Sequence, residues 1–188
     1  KDNKNITRYD GYFTFYYDNS NDKIFLEIEN LDKEFLYVNA LSEGIGSNDI
    51  GLDRGQLGNT RVVKFIKAGN KLLLIQPNQY YRAITDNIEE KKSVEQAFAK
   101  SILKGFVIKE TKNGKYLVDA TSFFIRDAHG VMGRLSAKKQ GKYTLDRSRS
   151  AINLKRTRAF PKNVEFDVMV TFKGVPKGYD IRSVVPTS

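Results

Sequence analysis

Alternation of apolar and polar side chains with period two dominates this chain, and no other feature constrains its fold as much. Successive side chains of a β-strand point to opposite faces, so this period marks strands buried on one side. Phe13, Phe15 and Tyr17 share one face of a first run, and Ile24, Leu26 and Ile28 share one face of a second. Asp18-Asn19-Ser20-Asn21-Asp22 between them is turn chemistry, which predicts a hairpin. Phe35 to Leu41 reads as a third strand. Arg61 to Ile66 and Lys71 to Gln76 flank Ala68-Gly69-Asn70, predicting a second hairpin. Phe106 to Lys109 and Tyr116 to Asp119 flank Asn113-Gly114, the strongest short turn signal in the chain. Val164, Phe166, Val168, Val170 and Phe172 alternate with polar partners and with Met169, predicting one long half-buried strand.

The period changes once. From Ile88 to Lys104, residues Val94, Ala97, Phe98, Ser101 and Ile102 recur at helical spacing. Glu89 and Glu90 at the start and Lys100 and Lys104 at the end complement a helix dipole, and Gly105 supplies a stop. One main helix is therefore predicted near 88–104, with a shorter helix or turn from Thr121 through Phe123-Phe124-Ile125. The expected fold class is α+β: a predominantly antiparallel β-sheet, as a sandwich or a curved sheet, in a single domain over residues 1–188.

Composition removes several functions. At 40% hydrophobic residues the chain can bury a core. Its longest apolar run, Leu72-Leu73-Leu74-Ile75, is far short of the ~20 residues that a membrane-spanning helix needs. Without cysteine there is no disulfide framework, thiolate zinc site or cysteine nucleophile. His129 is the only histidine, which excludes two-histidine zinc motifs. The chain opens at Lys1 without a methionine or an apolar leader, so it is expected to be a piece of a longer protein.

The net charge of +10 is concentrated. Residues 134–162 hold ten basic side chains (Arg134, Lys138, Lys139, Lys142, Arg147, Arg149, Lys155, Arg156, Arg158 and Lys162) and a single acid, Asp146. Such a stripe suits phosphates or an acidic protein surface. A nucleic-acid groove interleaves its cations with stacking aromatics, and here only Tyr143 and Phe160 are aromatic. That weighs against nucleic acid, which is kept as the alternative partner.

Candidate chemistry is sparse. The interval 39–60 is polar and carries Gly44, Gly46, Gly51, Gly55 and Gly58. Gly44-Ile45-Gly46 lacks the third glycine of a dinucleotide fingerprint, and no Gly-Lys-Ser/Thr follows for a P-loop. Asn48, Asp49 and Asp53 carry oxygens but not at EF-hand spacing, so no metal site is assigned and these residues, with Arg54, are read as an ordered interface loop. Arg126, Asp127 and His129 form a polar cluster, but without a Gly-x-Ser-x-Gly elbow the histidine is read as structural. Glu27 and Glu29 share a strand face in the manner of a solvated surface. Arg147-Ser148-Arg149-Ser150 is read as an exposed turn before a strand Ala151 to Leu154, able to hold a phosphate or carboxylate; with Arg156 and Arg158 it joins the candidate interface. Tyr80 and Tyr81 are a weak sugar-stacking pair, read first as packing residues. No catalytic residue and no cofactor site is assigned.

Several phrases together carry a resemblance. Tyr9-Asp10-Gly11-Tyr12-Phe13, Lys33-Glu34-Phe35-Leu36-Tyr37-Val38, the run from Ser47 to Gln56, Val118-Asp119-Ala120-Thr121 continuing to Arg126-Asp127-Ala128-His129-Gly130, and Leu145-Asp146-Arg147-Ser148-Arg149-Ser150 resemble the N-terminal domain of unknown function that lies upstream of the catalytic domain in bacterial zinc-dependent metalloproteases. The resemblance implies a non-catalytic accessory domain of an extracytoplasmic protein, whether secreted, periplasmic or lipoprotein-anchored. Its partner would be the catalytic domain of the same parent chain, and through it a peptide or protein substrate. Zinc would sit in that domain on a His-Glu-x-x-His helix, a motif this chain lacks.

Overall fold

The computed structural model describes residues 5–79, 81 and 84–185. In chain order the elements are β1 (Ile6–Tyr9), β2 (Thr14–Asp18), β3 (Lys23–Ile28), β4 (Phe35–Tyr37), β5 (Arg61–Ala68), β6 (Lys71–Gln76), α1 (Ile88–Ala97), β7 (Ser101–Lys112), β8 (Lys115–Asp119), α2 (Thr121–Phe124), α3 (Val131–Ala137), β9 (Tyr143–Ile152), β10 (Arg158–Ala159), β11 (Val164–Glu165), β12 (Val168–Gly174) and α4 (Tyr179–Val184). The fold is α+β and mostly antiparallel sheet, with four short helices among the described residues. The chain divides into two compact units, one of residues 5–27, 38–60 and 119–185, the other of residues 28–37 and the described part of 61–118.

In the first unit, β1, β2 and β3 form an antiparallel meander. The predicted hairpin is present, with Asp18 opposite Lys23 and the Asp18 carboxylate accepting from the Ser20 and Asn21 amides of the turn. Its alternation places Phe15, Tyr17, Ile24 and Leu26 in the core. The Phe15 ring stacks on Tyr9 and meets Phe166 edge-on, and Phe166 stacks on Phe124 of α2. β1 carries no period-two signal, because Ile6, Thr7 and Arg8 are all exposed and no apolar alternation marks a buried face.

Residues 164–173 do not make one strand. β11 pairs with β10, β12 pairs with β9, and the chain breaks between them at Phe166-Asp167. At the break the Asp167 amide donates to Thr157 Oγ1 (3.2 Å) and not to a strand carbonyl, while its carboxylate accepts from Asn153 Nδ2 (2.8 Å) and Ser42 Oγ (3.1 Å). β9 is also longer than the expected strand at Ala151 to Leu154. Ala151 faces Met169 and Asp146 faces Thr171, so residues 147–150 bulge out of a continuous strand rather than forming a turn ahead of one.

In the second unit the strand order is β8-β7-β6-β5-β4. The turns are as tight as their sequences require. Gly69 has φ +58° in the two-residue link between β5 and β6, while Asn113 and Gly114 lie at +50° and +76° between β7 and β8. β4 ends at Tyr37, earlier than the Leu41 expected. The run Leu72-Leu73-Leu74-Ile75 buries Leu72, Leu74 and Ile75. Between Leu74 and Ile75 the partner shifts from Lys104 to Ile102, a bulge that leaves Leu103 of β7 unpaired, and at this irregularity both Leu74 and Ile75 are buried. With Val63, Phe65 and Phe106 they form the core of this unit, each fully buried large side chain contributing roughly 1.5–3 kcal/mol.

The main helix is shorter than predicted. α1 starts where expected, with the Asn87 side chain capping the Glu89 amide at 2.9 Å, but it stops at Ala97. The predicted residues 98–104 leave the helix. Phe98 stacks on Tyr81 at 4.1 Å, and Ser101 and Ile102 begin β7 opposite Gln76 and Ile75. Pairing with β6 wins over helical spacing because α1 buries little of its own apolar surface, so nothing rewards its extension. Among the described residues no helix is long and apolar enough to cross a membrane.

Candidate functional site

The polar loop 39–60 is held at both base and tip. At the base, the Gly58 amide bonds Asn39 O (2.7 Å), Leu41 N bonds Gln56 O (3.0 Å) and Gly55 N bonds Leu41 O (2.7 Å). Nearer the tip, Ile45 N bonds Leu52 O (2.9 Å). Gly46, Gly51 and Gly55 take φ values of +86°, +72° and +81°, a backbone region in which glycine carries no steric cost. Ile50 and Leu52 bury themselves against Leu135 of α3 and Ile181 of α4. The loop is thus closed at its ends and anchored on two helices through Ile50 and Leu52. Asn48, Asp49, Asp53 and Arg54 remain exposed on it, and none of their side chains makes a hydrogen bond or ion pair among the described residues.

The Arg126, Asp127 and His129 cluster comes out as architecture. Gly130 is the N-cap of α3 in a left-handed conformation and has no side chain to offer. Asp127 replaces it, its two oxygens accepting from Val131 N (2.7 Å) and Met132 N (3.0 Å) at the positive end of the helix. Both oxygens therefore face backbone amides and not His129. Arg126 donates from Nε to Phe123 O (2.9 Å) and lies 4.6 Å over the Phe123 ring. His129 Nδ1 is 3.1 Å from Asn39 Nδ2. Nδ1 accepts in that bond, and the loop base is thereby tied to the turn before α3. No serine or threonine hydroxyl bonds His129 among the described residues, so no hydrolytic triad is assembled.

The arginines of the basic stretch are engaged within the fold. Arg134 Nη1 reaches Gly51 O and Arg147 Nη1 reaches Ile125 O, both at 2.8 Å. Arg158 Nη1 donates to Thr157 O at 2.9 Å, and Arg156 pairs with Asp167 at 3.4 Å. Arg149 binds Asp146 at 3.0 Å. A guanidinium fork suits carbonyls and carboxylates in this way. In contrast Lys138, Lys139, Lys142, Lys155 and Lys162 are exposed and make no side-chain bond among the described residues. The Arg147-Ser148-Arg149-Ser150 bulge does hold a carboxylate, and it is the chain's own. Asp146 accepts from Ser148 Oγ (2.6 Å), Ser148 N (3.1 Å) and Arg149 Nε (3.0 Å). The Ser148 hydroxyl, and after it Arg149, hold its carboxyl down at about 2.

Glu27 accepts from Tyr16 Oη (3.0 Å), and Glu29 pairs with Lys115 (3.0 Å), so the two carboxylates have separate partners. Tyr80 lies outside the described residues, and Tyr81 is stacked on Phe98. A concavity of about 480 Å³ is lined by Phe160, Pro161, Lys162, Asn163 and Glu165, and it brings no catalytic pair together. Among the described residues no group of three or more histidines and carboxylates is placed to hold a metal ion.

Gln140 carries structural weight that its sequence does not announce. It is 5% exposed. Its Oε1 accepts from Ile181 N (3.0 Å), while Nε2 donates to Asp180 Oδ2 (2.8 Å) and Lys138 O (3.1 Å). α4 has Gly178 as its N-cap with no capping side chain, so the cap comes from a residue about forty positions earlier. A glutamine between a lysine and a glycine reads as a turn, and no local signal marks it otherwise.

Residues 55–187 match the family model described as domain of unknown function (DUF5117), and residues 3–44 match a second, domain of unknown function (DUF5118). These matches support the part of the resemblance that names a domain of unknown function; neither description mentions a protease. No curated protein and no solved structure matches the chain.

Proposed function

The chain belongs to the DUF5117 family, and from that premise we propose that it is a non-catalytic accessory domain of an extracytoplasmic zinc-dependent metalloprotease, packing against the catalytic domain of the same parent chain. The observation that carries this reading is the loop 39–60. Ile50 and Leu52 anchor it rigidly, yet Asn48, Asp49, Asp53 and Arg54 are displayed without a partner. Polar side chains on a preorganised loop lose little entropy when a second surface bonds them, which suits a permanent contact. In this reading the zinc and the water-activating glutamate belong to the partner domain, and this chain shapes the approach of a peptide or protein substrate.

The test is direct. Produce the parent protein with and without residues 1–188, and with Asp53→Ala/Arg54→Ala in the full-length form, and follow peptide hydrolysis and solubility. Loss of activity or solubility on deletion, with a partial loss in the loop variant, is expected. An unchanged deleted enzyme, or a parent gene without a His-Glu-x-x-His segment, refutes the proposal.

A second reading rests on the five lysines without side-chain bonds, which suit a polyanion such as nucleic acid. Oligonucleotide titration at low salt, where phosphate contacts are strongest, decides it; no binding there ends it.

A further inference from the structure

The fold builds a cationic surface that the sequence divides. After β12 ends at Gly174 the chain returns to Gln140. Lys177 N and Gly178 N donate to Gln140 O at 3.0 and 3.4 Å, and Ile181 N to Gln140 Oε1. The approach is backbone against backbone: a Cβ on Gly174 would lie 2.4 Å from Lys142 O, and one on Gly141 2.6 Å from Val175 O. Thr144 of β9 faces Lys173 of β12 in register. Residues 138–142 and 173–182 thus form one surface. Lys138, Lys139, Lys142, Lys173, Lys177 and Arg182 are all exposed on it. The sole acid in the two segments is Asp180, whose carboxylate is turned to Gln140 Nε2, and the neighbouring Asp146 is held by Ser148 and Arg149. Two large apolar side chains of the second segment are also exposed, Val175 at 71% and Tyr179 at 78%.

We propose that this surface docks on an anionic lipid bilayer, its cations meeting the headgroup charge while Val175 and Tyr179 enter the headgroup layer. The combination selects the partner. Clustered cations near an anionic leaflet each add to binding, and an apolar tip beside them adds a component that salt does not screen. Tyrosine is favoured at membrane–water interfaces because its ring is apolar and its hydroxyl stays wet. A strand of nucleic acid would instead call for repeated stacking faces. Tyr179 is the only aromatic residue in the two segments, and the second exposed apolar side chain is aliphatic. The charge needed is supplied partly by Lys173, Lys177 and Arg182, which lie outside the basic stretch 134–162.

The experiment is flotation of the intact chain with vesicles of phosphatidylcholine and phosphatidylglycerol, against phosphatidylcholine alone, at low and raised salt. Binding to the mixed vesicles, weakened by salt, is expected. Lys138→Gln/Lys142→Gln/Lys177→Gln lowers the partition coefficient on the order of a hundredfold, at about fivefold per charge. Val175→Ser/Tyr179→Ser lowers it about tenfold and leaves the salt dependence unchanged. Lys155→Gln/Lys162→Gln, outside the two segments in sequence, changes it by less than about twofold. All seven side chains are exposed, and circular dichroism confirms the fold of each variant. Absence of binding to the mixed vesicles overturns the proposal. So does equal binding of all variants, or a neutral Val175/Tyr179 variant joined with equally tight binding to duplex DNA, which would mark a general polyanion surface.

Discussion

Replacing Gln140 with alanine removes three hydrogen bonds at once. Those from Gln140 to the Ile181 amide and the Lys138 carbonyl contribute about 1 kcal/mol each, and the one to the Asp180 carboxylate about 1.5 kcal/mol or more. At 5% exposure little water can take their place, so the loss is about 3–4 kcal/mol. It falls on α4, whose N-terminal cap disappears. Native-state hydrogen exchange at Ile181, Arg182 and Val185, the amides bonded to Gln140 Oε1, Gly178 O and Ile181 O, should rise on the order of a hundredfold.

A second substitution checks the cause. A Cβ on Gly178 would lie 2.0 Å from Gln140 Oε1 and 2.6 Å from Nε2, so Gly178→Ala must expel the amide and reproduce most of the loss. In the Gln140→Ala background that clash no longer exists, and Gly178→Ala should cost less than about 1 kcal/mol, the ordinary difference between the two residues at an N-cap. The expected coupling is about 3 kcal/mol, far beyond the few tenths seen for independent sites. Additive effects of the two substitutions would refute the clamp.

Two further outcomes follow from the backbone and from charge. Gly114→Ala forces a side chain into φ +76° with nothing nearby to compensate, and should destabilise by about 1–2 kcal/mol, whereas Gly133→Ala within α3 meets nothing within 4 Å and should stabilise by about 0.5–1 kcal/mol; urea midpoints moving in the same direction would contradict this. The Asp146 carboxyl is depressed from 3.8 to about 2 by Ser148 and then Arg149, so its contribution is present above about pH 4 and is lost as pH falls toward 2. Asp146→Asn should remove that acid slope, and Ser148→Ala should move the carboxyl titration, followed by NMR, back upward; an unmoved titration in Ser148→Ala would show that another group sets it.

The three hairpins were legible because their causes are local. Alternation names the buried face, and Gly69 and Asn113-Gly114 supply backbone conformations that few other residues tolerate. The end of α1 was not legible, since residues 98–104 fit a helix by spacing and a strand by pairing, and the choice depended on Gln76 and Ile75 lying opposite. α3 and α4 escaped notice because glycine occupies both N-caps and the capping oxygens come from Asp127 and Gln140. For the site, the exposed polar character of Asn48, Asp49, Asp53 and Arg54 could be read from composition. Their anchorage by Ile50 and Leu52 on Leu135 and Ile181 could not.

Sequence alone therefore determined the α+β class, the hairpins, the exposed glycine-rich loop and the absence of cysteine or two-histidine chemistry, because each depends on residue identity and near neighbours. Tertiary structure alone decided which cations are committed. Within the basic stretch 134–162 the arginines found carbonyls and carboxylates brought near by folding and the lysines did not, and Lys173, Lys177 and Arg182 joined Lys138 to Lys142 through the bonds around Gln140. The physical reason is reach: a hydrogen bond selects partners within about 3 Å in space, whatever their separation along the chain.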